Sequence, residues 1–199
     1  MSGPADRTLL IACGALAREA KAVLAANGLD GRIDLACLPA SLHNRPERIP
    51  EAVRRRIRRA RATHARIAVL YGDCGTGGEL DRVLAEEGVE RIAGPHCYAF
   101  YAGEADFAAL AEAEPGTFWL TDFLVRQFDT LVIRGLGLDR HPELLPLYFG
   151  NYRRVVYLAQ TDEPRLLARA EAAAARLGLA FEHRPTGLGG IEPFLRKAA

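Results

Sequence analysis

Three cysteines stand where an apolar run gives way to small or turn-forming residues: Cys13 in T-L-L-I-A-C-G, Cys74 in I-A-V-L-Y-G-D-C-G-T-G-G and Cys97 in R-I-A-G-P-H-C-Y. Thiolates are nucleophiles and ligands for soft metals. Three that converge make a metal or iron–sulfur pocket, or a nucleophile with its supports. They converge if the preceding runs are parallel strands of one sheet, because such strands end at one edge, where open α/β sheets bind ligands. Cys37, in D-L-A-C-L, lies inside its run and is expected in the core.

The segment Y-G-D-C-G-T-G-G is the sharpest local signal. Its glycines free the backbone for positive φ and for close approach to a ligand. A helix beginning there would aim its N–H groups into the same space, favouring an anion or a thiolate. Gly75, Thr76, Gly77 and Gly78 are therefore expected to bind an anionic group, and Asp73 or His96 to move protons. The loop lacks the Lys-Ser/Thr pair of a Walker A motif, and it is not G-x-G-x-x-G. In G-P-H-C-Y, neighbouring side chains on extended backbone point apart, so Cys97 is expected to ligate and His96 to support it or act as acid/base. His43 and Asn44 lie in a loop where ligand contact and plain loop structure weigh equally. Asp122, Asp139 and His141 are further pocket candidates, and T-G-L-G-G at 186–190 is a second glycine turn.

The elements that must position these residues follow from periodicity. Short β-branched runs at Thr8–Ala12, Ile33–Leu38, Ile67–Tyr71, Arg91–Ala93, Val155–Leu158 and, more weakly, Leu179–His183 read as strands. Between them, Val53, Ile57 and Ala60 make one helical stripe, as do Leu80, Val83 and Leu84. Leu166, Leu167, Ala170, Ala174 and Leu177 form another, stopped by Gly178. Such alternation implies βαβ units with right-handed crossovers: a three-layer α/β/α fold with a mainly parallel, Rossmann-like sheet. The aromatic-rich middle, 100–151, breaks the rhythm and reads as a helical insertion or lid within a single domain spanning 1–199. Its segments around Asp122 and His141 are expected to cover the cysteines.

Composition bounds the partners. With 199 residues, 49% of them apolar, the chain can bury one substantial core. Its 26 basic and 25 acidic residues balance, so nothing draws the whole molecule to nucleic acid or an anionic membrane. The arginine-rich helix at 54–61 lacks interleaved aromatics and reads as a solvated face or a subunit contact. M-S-G-P-A-D-R has no apolar leader, no run is long enough to span a bilayer, and the 4 cysteines suit a reducing compartment; the expected location is the cytoplasm.

Taken together, I-A-C-G-A-L, L-P-A-S-L-H-N-R-P-E-R-I, Y-G-D-C-G-T-G-G, G-P-H-C-Y, G-T-F-W-L-T-D-F-L, G-L-G-L-D-R-H-P-E-L and Y-F-G-N-Y-R-R-V-V-Y-L-A-Q-T resemble the bacterial and archaeal family "domain of unknown function 1638" over nearly the whole chain. The resemblance implies an association with corrinoid-dependent methyl transfer and no mechanism. The strand-end cysteines are also similar to those of quinolinate synthase, which hold an iron–sulfur cluster with one open iron, although this chain has no triplicated unit. The leading expectation is a metallocentre enzyme acting on a small anionic metabolite. Cys13, Cys74 and Cys97 would hold an iron–sulfur cluster or a single Fe or Zn ion. A metal-handling accessory protein, with a second copy or a methyltransferase component as partner, is the alternative. A metal-free thiol enzyme, with Cys74 as nucleophile and His96 as base, is a third reading.

Overall fold

The computed structural model describes residues 7–199. The stretch before Arg7, read above for its lack of an apolar leader, lies outside the described residues. Two compact units are present: Met1–Phe100 with Leu188–Ala199, and Tyr101–Gly187.

In the first unit, β1 (Thr8–Cys13) is buried at every position. Its unbroken apolar run, without alternation, marks a parallel strand covered on both faces. It lies between β2 (Ile33–Leu38) and β3 (Arg66–Leu70), and the two-residue β4 (Glu90–Arg91) follows β3, giving the order β2-β1-β3-β4. Every pairing is parallel. Helices α1 (Ala17–Ala26), α2 (Ile49–Ala60) and α3 (Glu79–Glu87) make the crossovers, α4 (Cys97–Ala102) follows β4, and α9 (Ile191–Ala198) returns to this unit. α1 packs with α9, and α2 with α3, so each face of the sheet has its helical pair. The apolar stripe of α2 buries Val53 and Ile57 completely. Its arginines are more than a solvated face: Arg54 pairs with Glu86, and Arg58 and Arg61 with Glu87, joining α2 to α3.

The second unit carries α5 (Glu104–Ala113), β5 (Thr117–Thr121), α6 (Asp122–Phe128), α7 (Leu145–Phe149), β6 (Arg154–Ala159), α8 (Pro164–Leu177) and β7 (Ala180–Pro185). Its three strands are parallel in the order β5-β6-β7. Leu120, Val155, Leu166 and Ala170 centre its core. The mixed α/β, Rossmann-like class is as expected, but the strands fall into two parallel sheets. The stretch 100–151 is not wholly helical, because β5 lies within it. That strand is an aromatic run of five residues flanked by helical patterns, and its partner β6 follows only after two further helices. Among the described residues, no helix is long and apolar enough to cross a membrane.

Asp122 ties the second sheet together. Fully buried at the end of β5, it accepts hydrogen bonds from Tyr157 Oη (2.7 Å), Gln160 N (3.0 Å) and Thr161 Oγ1 (2.5 Å). Its own N–H donates to Gln160 Oε1 at 2.8 Å, and Arg126 stands 3.7 Å from its second oxygen. Removing the carboxylate would leave two buried donors, Tyr157 Oη and Gln160 N, unpaired. Asp122→Ala is therefore expected to destabilise the second unit by about 3–5 kcal/mol, measured by urea denaturation.

Candidate functional site

Parallel register sets the geometry of the first unit's carboxyl edge. Cys13 pairs with Leu38, so β1 and β2 end level; Ala12 pairs with Leu70, which puts Tyr71 alongside Cys13. β2 leads into a 3-10 turn, Ala40–Asn44, that carries His43. β3 leads into the glycine loop with Cys74, and β4 into Gly94–Cys97 with His96. From β1 the chain adds β2 on one side and then β3 and β4 on the other, which makes the gap between β1 and β3 the switch point at which open α/β sheets bind ligands.

The loops after β3 and β4 are pressed together. Asp73 N donates to Gly94 O (3.4 Å) and Cys74 N to Pro95 O (2.9 Å). Gly72 is required there: a Cβ would come within 2.9 Å of Pro95 O and 3.0 Å of the His96 backbone. Cys74 itself has φ +52°, the one left-handed non-glycine residue among the described residues. Such backbone conformations are held by their surroundings at an energetic cost and cluster at functional sites.

Burial pushes the Cys13 thiol up to about 11, against the pull of the Ala15 N–H and the Tyr71 hydroxyl. Ala15 N donates to Cys13 Sγ at 3.3 Å. Cys74 is pushed up to about 12, first by burial and then by the charge of Cys13. Cys97 is raised by burial, then by Cys74 and Cys13. Cys13 thus acts on Cys74, and both act on Cys97, whereas the thiol that acts on Cys13 is Cys37. Even so, among the described residues no three His, Cys, Asp or Glu side chains are drawn together as a ready-made metal cage.

Two aromatic groups join the thiols. His43 Nδ1 lies 3.0 Å from Ala40 O and 3.8 Å from Cys13 Sγ. The carbonyl can only accept, so the ring proton belongs on Nδ1. The imidazole stacks on Tyr71, with centroids 6.3 Å apart and planes at 13°. Tyr71 is wholly buried; its hydroxyl makes no hydrogen bond of ordinary geometry among the described residues, though it interacts with the Cys13 thiol. A buried hydroxyl without such a bond costs about 1–3 kcal/mol, so it calls for an explanation. The sequence leaves His43 evenly divided between ligand contact and plain loop structure and places Tyr71 at a strand end. Their part at this edge follows from pairing register, which no local motif announces.

The glycine loop differs from expectation in what it binds. Asp73 accepts from Gly75 N (3.2 Å), Gly77 N (3.2 Å), Gly78 N (2.7 Å) and Thr76 Oγ1 (2.7 Å). The donors expected to grip a substrate anion hold this carboxylate instead. Desolvation works to raise the Asp73 pKa, but Thr76 and the three N–H groups outweigh it, and the net shift is downward. A carboxyl so firmly ionised is a poor proton donor. His96 is better placed for proton transfer: burial lowers its pKa and His43 adds to this, against the charge of Asp73.

Cys37 is exposed, against the expectation of core packing. β2 is an edge strand, and only Ile33 along it is fully buried. The other expected pocket residues belong to the second unit. There Asp122 is saturated by the partners described above, His141 is exposed and 3.2 Å from Glu143, and Asp139 lies 3.9 Å from Arg140.

A family profile described as "Protein of unknown function (DUF1638)" matches residues 37–195. The chain belongs to that family. The matched span takes in His43, Tyr71, Cys74 and Cys97 of the DUF1638 site and begins beyond Cys13. No curated protein and no solved structure matches the chain.

Two outcomes are expected. Asp73→Ala should destabilise the protein by about 1.5–3 kcal/mol at neutral pH, through loss of hydrogen bonds to a charged acceptor. Because the folded-state pKa is depressed, that contribution is present above the ordinary value of 3.8 and fades as pH falls through the lower, folded value. Denaturation of wild type and variant at neutral and acid pH should show the gap closing. Separately, iodoacetamide at pH 8 should label exposed Cys37 first. Cys13, Cys74 and Cys97 should react at least about tenfold more slowly, as read by peptide mass spectrometry.

Proposed function

We propose that the first unit of this DUF1638 protein uses Cys13, Cys74 and Cys97 to hold a thiolate-ligated metal centre, an iron–sulfur cluster or a single Fe or Zn ion, and performs metal-dependent chemistry on a small molecule. The supporting observation is that the three thiols sit at or beyond the carboxyl ends of parallel strands, close enough for Cys13 to act on Cys74 and for both to act on Cys97. Sulfur donors favour iron–sulfur or zinc over magnesium or calcium, and the one nearby carboxylate, Asp73, is engaged by its own loop. A bound cation would reverse the repulsion that keeps the thiols protonated. It would supply Lewis acidity at a position the three cysteines leave open. His96, kept neutral at physiological pH, is the group we assign to proton transfer. The Tyr71 hydroxyl makes no hydrogen bond of ordinary geometry among the described residues, as a polar group in a site awaiting an occupant would not.

A ligand set that is near but not yet gathered also suits an ion that is taken up and passed on. The accessory, metal-handling reading therefore stands second. The two differ in retention, since a resident centre survives gel filtration with a chelator and a cargo ion does not.

The test is anaerobic purification, a visible spectrum and elemental analysis, followed by reconstitution with ferrous iron and sulfide or titration with cobalt(II). Cys74→Ser and Cys97→Ser should each lower metal occupancy at least about tenfold, as should Cys13→Ser, while Cys37→Ser should match wild type. Equal occupancy in all four variants would overturn the proposal.

A further inference from the structure

We propose that one flank of α2 binds a phosphate monoester with an apolar body, in a cavity separate from the thiol edge. The inference does not rest on the metal-binding reading above.

Six arginines lie between positions 54 and 61, and the buried stripe of Val53, Ile57 and Ala60 leaves them on two flanks. On one flank Arg54 pairs with Glu86, and Arg58 and Arg61 with Glu87. On the other, Arg55, Arg56 and Arg59 have no ion pair or side-chain hydrogen bond among the described residues. The acids nearest in sequence are engaged elsewhere: Glu51 stands 3.9 Å from Arg54 and Glu47 4.0 Å from Arg48. Arg55 and Arg56 precede Arg59 by four and three positions, so the three share a face, where like charges destabilise a helix. One flank is neutralised and the other is left short of negative charge.

The same three arginines line a cavity of about 290 Å³ together with Leu38, at the end of β2, and Leu42, in the turn that follows. Both leucines are half-buried. One wall is therefore cationic and the facing wall is apolar carbon. Guanidinium forks grip oxyanions bidentately, and three of them match the three terminal oxygens of a phosphate monoester better than the two of a carboxylate. The volume stands at the small end of ligand sites, which suits a metabolite and not a polymer. Because Glu86 and Glu87 neutralise the neighbouring flank, no basic track runs round the helix for a polynucleotide to follow. A second copy docked on the same face would set arginines against arginines. The turn Ala40–Asn44 separates this cavity from the thiols: Leu42 lines the cavity, whereas His43 lies 3.8 Å from Cys13.

The experiment is isothermal titration calorimetry at low ionic strength, with phenyl phosphate as the probe. Wild type should bind it with a Kd of about 1 mM or tighter. Inorganic phosphate should bind about tenfold more weakly, because it leaves Leu38 and Leu42 uncovered. Arg55→Gln and Arg59→Gln should each weaken phenyl phosphate binding about fivefold, and the double variant at least about twentyfold. Arg58→Gln removes the same charge from the paired flank and should bind as wild type. Arg55→Gln and Arg59→Gln should also melt at or above the wild-type temperature, since each relieves like-charge crowding. No saturable binding by wild type would overturn the proposal, as would an equal loss in Arg58→Gln, which marks general attraction. A clearly lower melting temperature in Arg55→Gln or Arg59→Gln would reveal a structural partner and count against it as well. Tighter binding of oligothymidylate at matched phosphate concentration would replace the small ligand with a nucleic acid. A dimer that the same substitutions dissociate would assign the face to a subunit contact instead.

Discussion

A parallel strand cannot turn back beside itself, so each strand of the first sheet must leave the sheet at the same edge as its neighbours. That constraint gathers the chemistry. Cys13 ends β1, Tyr71 and Cys74 follow β3, and His96 and Cys97 follow β4, while His43 follows β2, the strand that breaks chain order in the sheet. The hydrophobic effect fixes the arrangement: β1 is buried along its whole length, and a slip in pairing would uncouple it from both neighbours. Once β1 and β3 are in register, Tyr71 lies beside Cys13 whatever the loops do. The absence of a side chain at Gly72 then lets the β3 and β4 loops close on each other.

Negative charge receives opposite treatment at adjacent positions of one loop. Asp73 meets three N–H groups and a hydroxyl and stays ionised. Cys74 faces burial and a second thiol and stays protonated. The difference follows from where the donors point. Left-handed residues at Cys74, Gly75, Gly77 and Gly78 curl the backbone N–H groups inward on the carboxylate, and the sulfur is left to its neighbours. The loop thus neutralises its own anion, leaving the thiols as the groups whose charge state a newcomer can change.

The parts of this arrangement legible in the sequence are those written in local chemistry. Cys13, Cys74 and Cys97 were recognisable because β-branched runs followed by glycine or proline mark strand ends, and strand ends share an edge. The other features depend on long-range pairing. Tyr71 reads as one more apolar residue until register sets it beside Cys13. Cys37 reads as core because D-L-A-C-L is apolar, yet a strand at a sheet edge has one flank uncovered. β5 was hidden because T-F-W-L-T resembles the aromatic helical segments around it. The glycine loop reads in the sequence as a cradle for an anionic substrate group, whereas the anion its donors hold is its own Asp73, two residues before the first glycine of the cradle.

The two units, each taken by itself, use the same edge differently. At the carboxyl end of β5, Asp122 is fully buried and its oxygens accept from Tyr157, Gln160 and Thr161. A carboxylate so completely satisfied has no capacity left for a ligand, and its role is to hold β5 to β6. At the carboxyl end of β1 and β3 the donors and acceptors do not balance. Cys74 and Cys97 are held protonated by burial and by neighbouring thiols, and the Tyr71 phenol makes no hydrogen bond of ordinary geometry among the described residues. Polar groups in folded interiors are generally paired, so such an imbalance is informative. It sets this edge apart from one whose polar groups are spent on holding a sheet together.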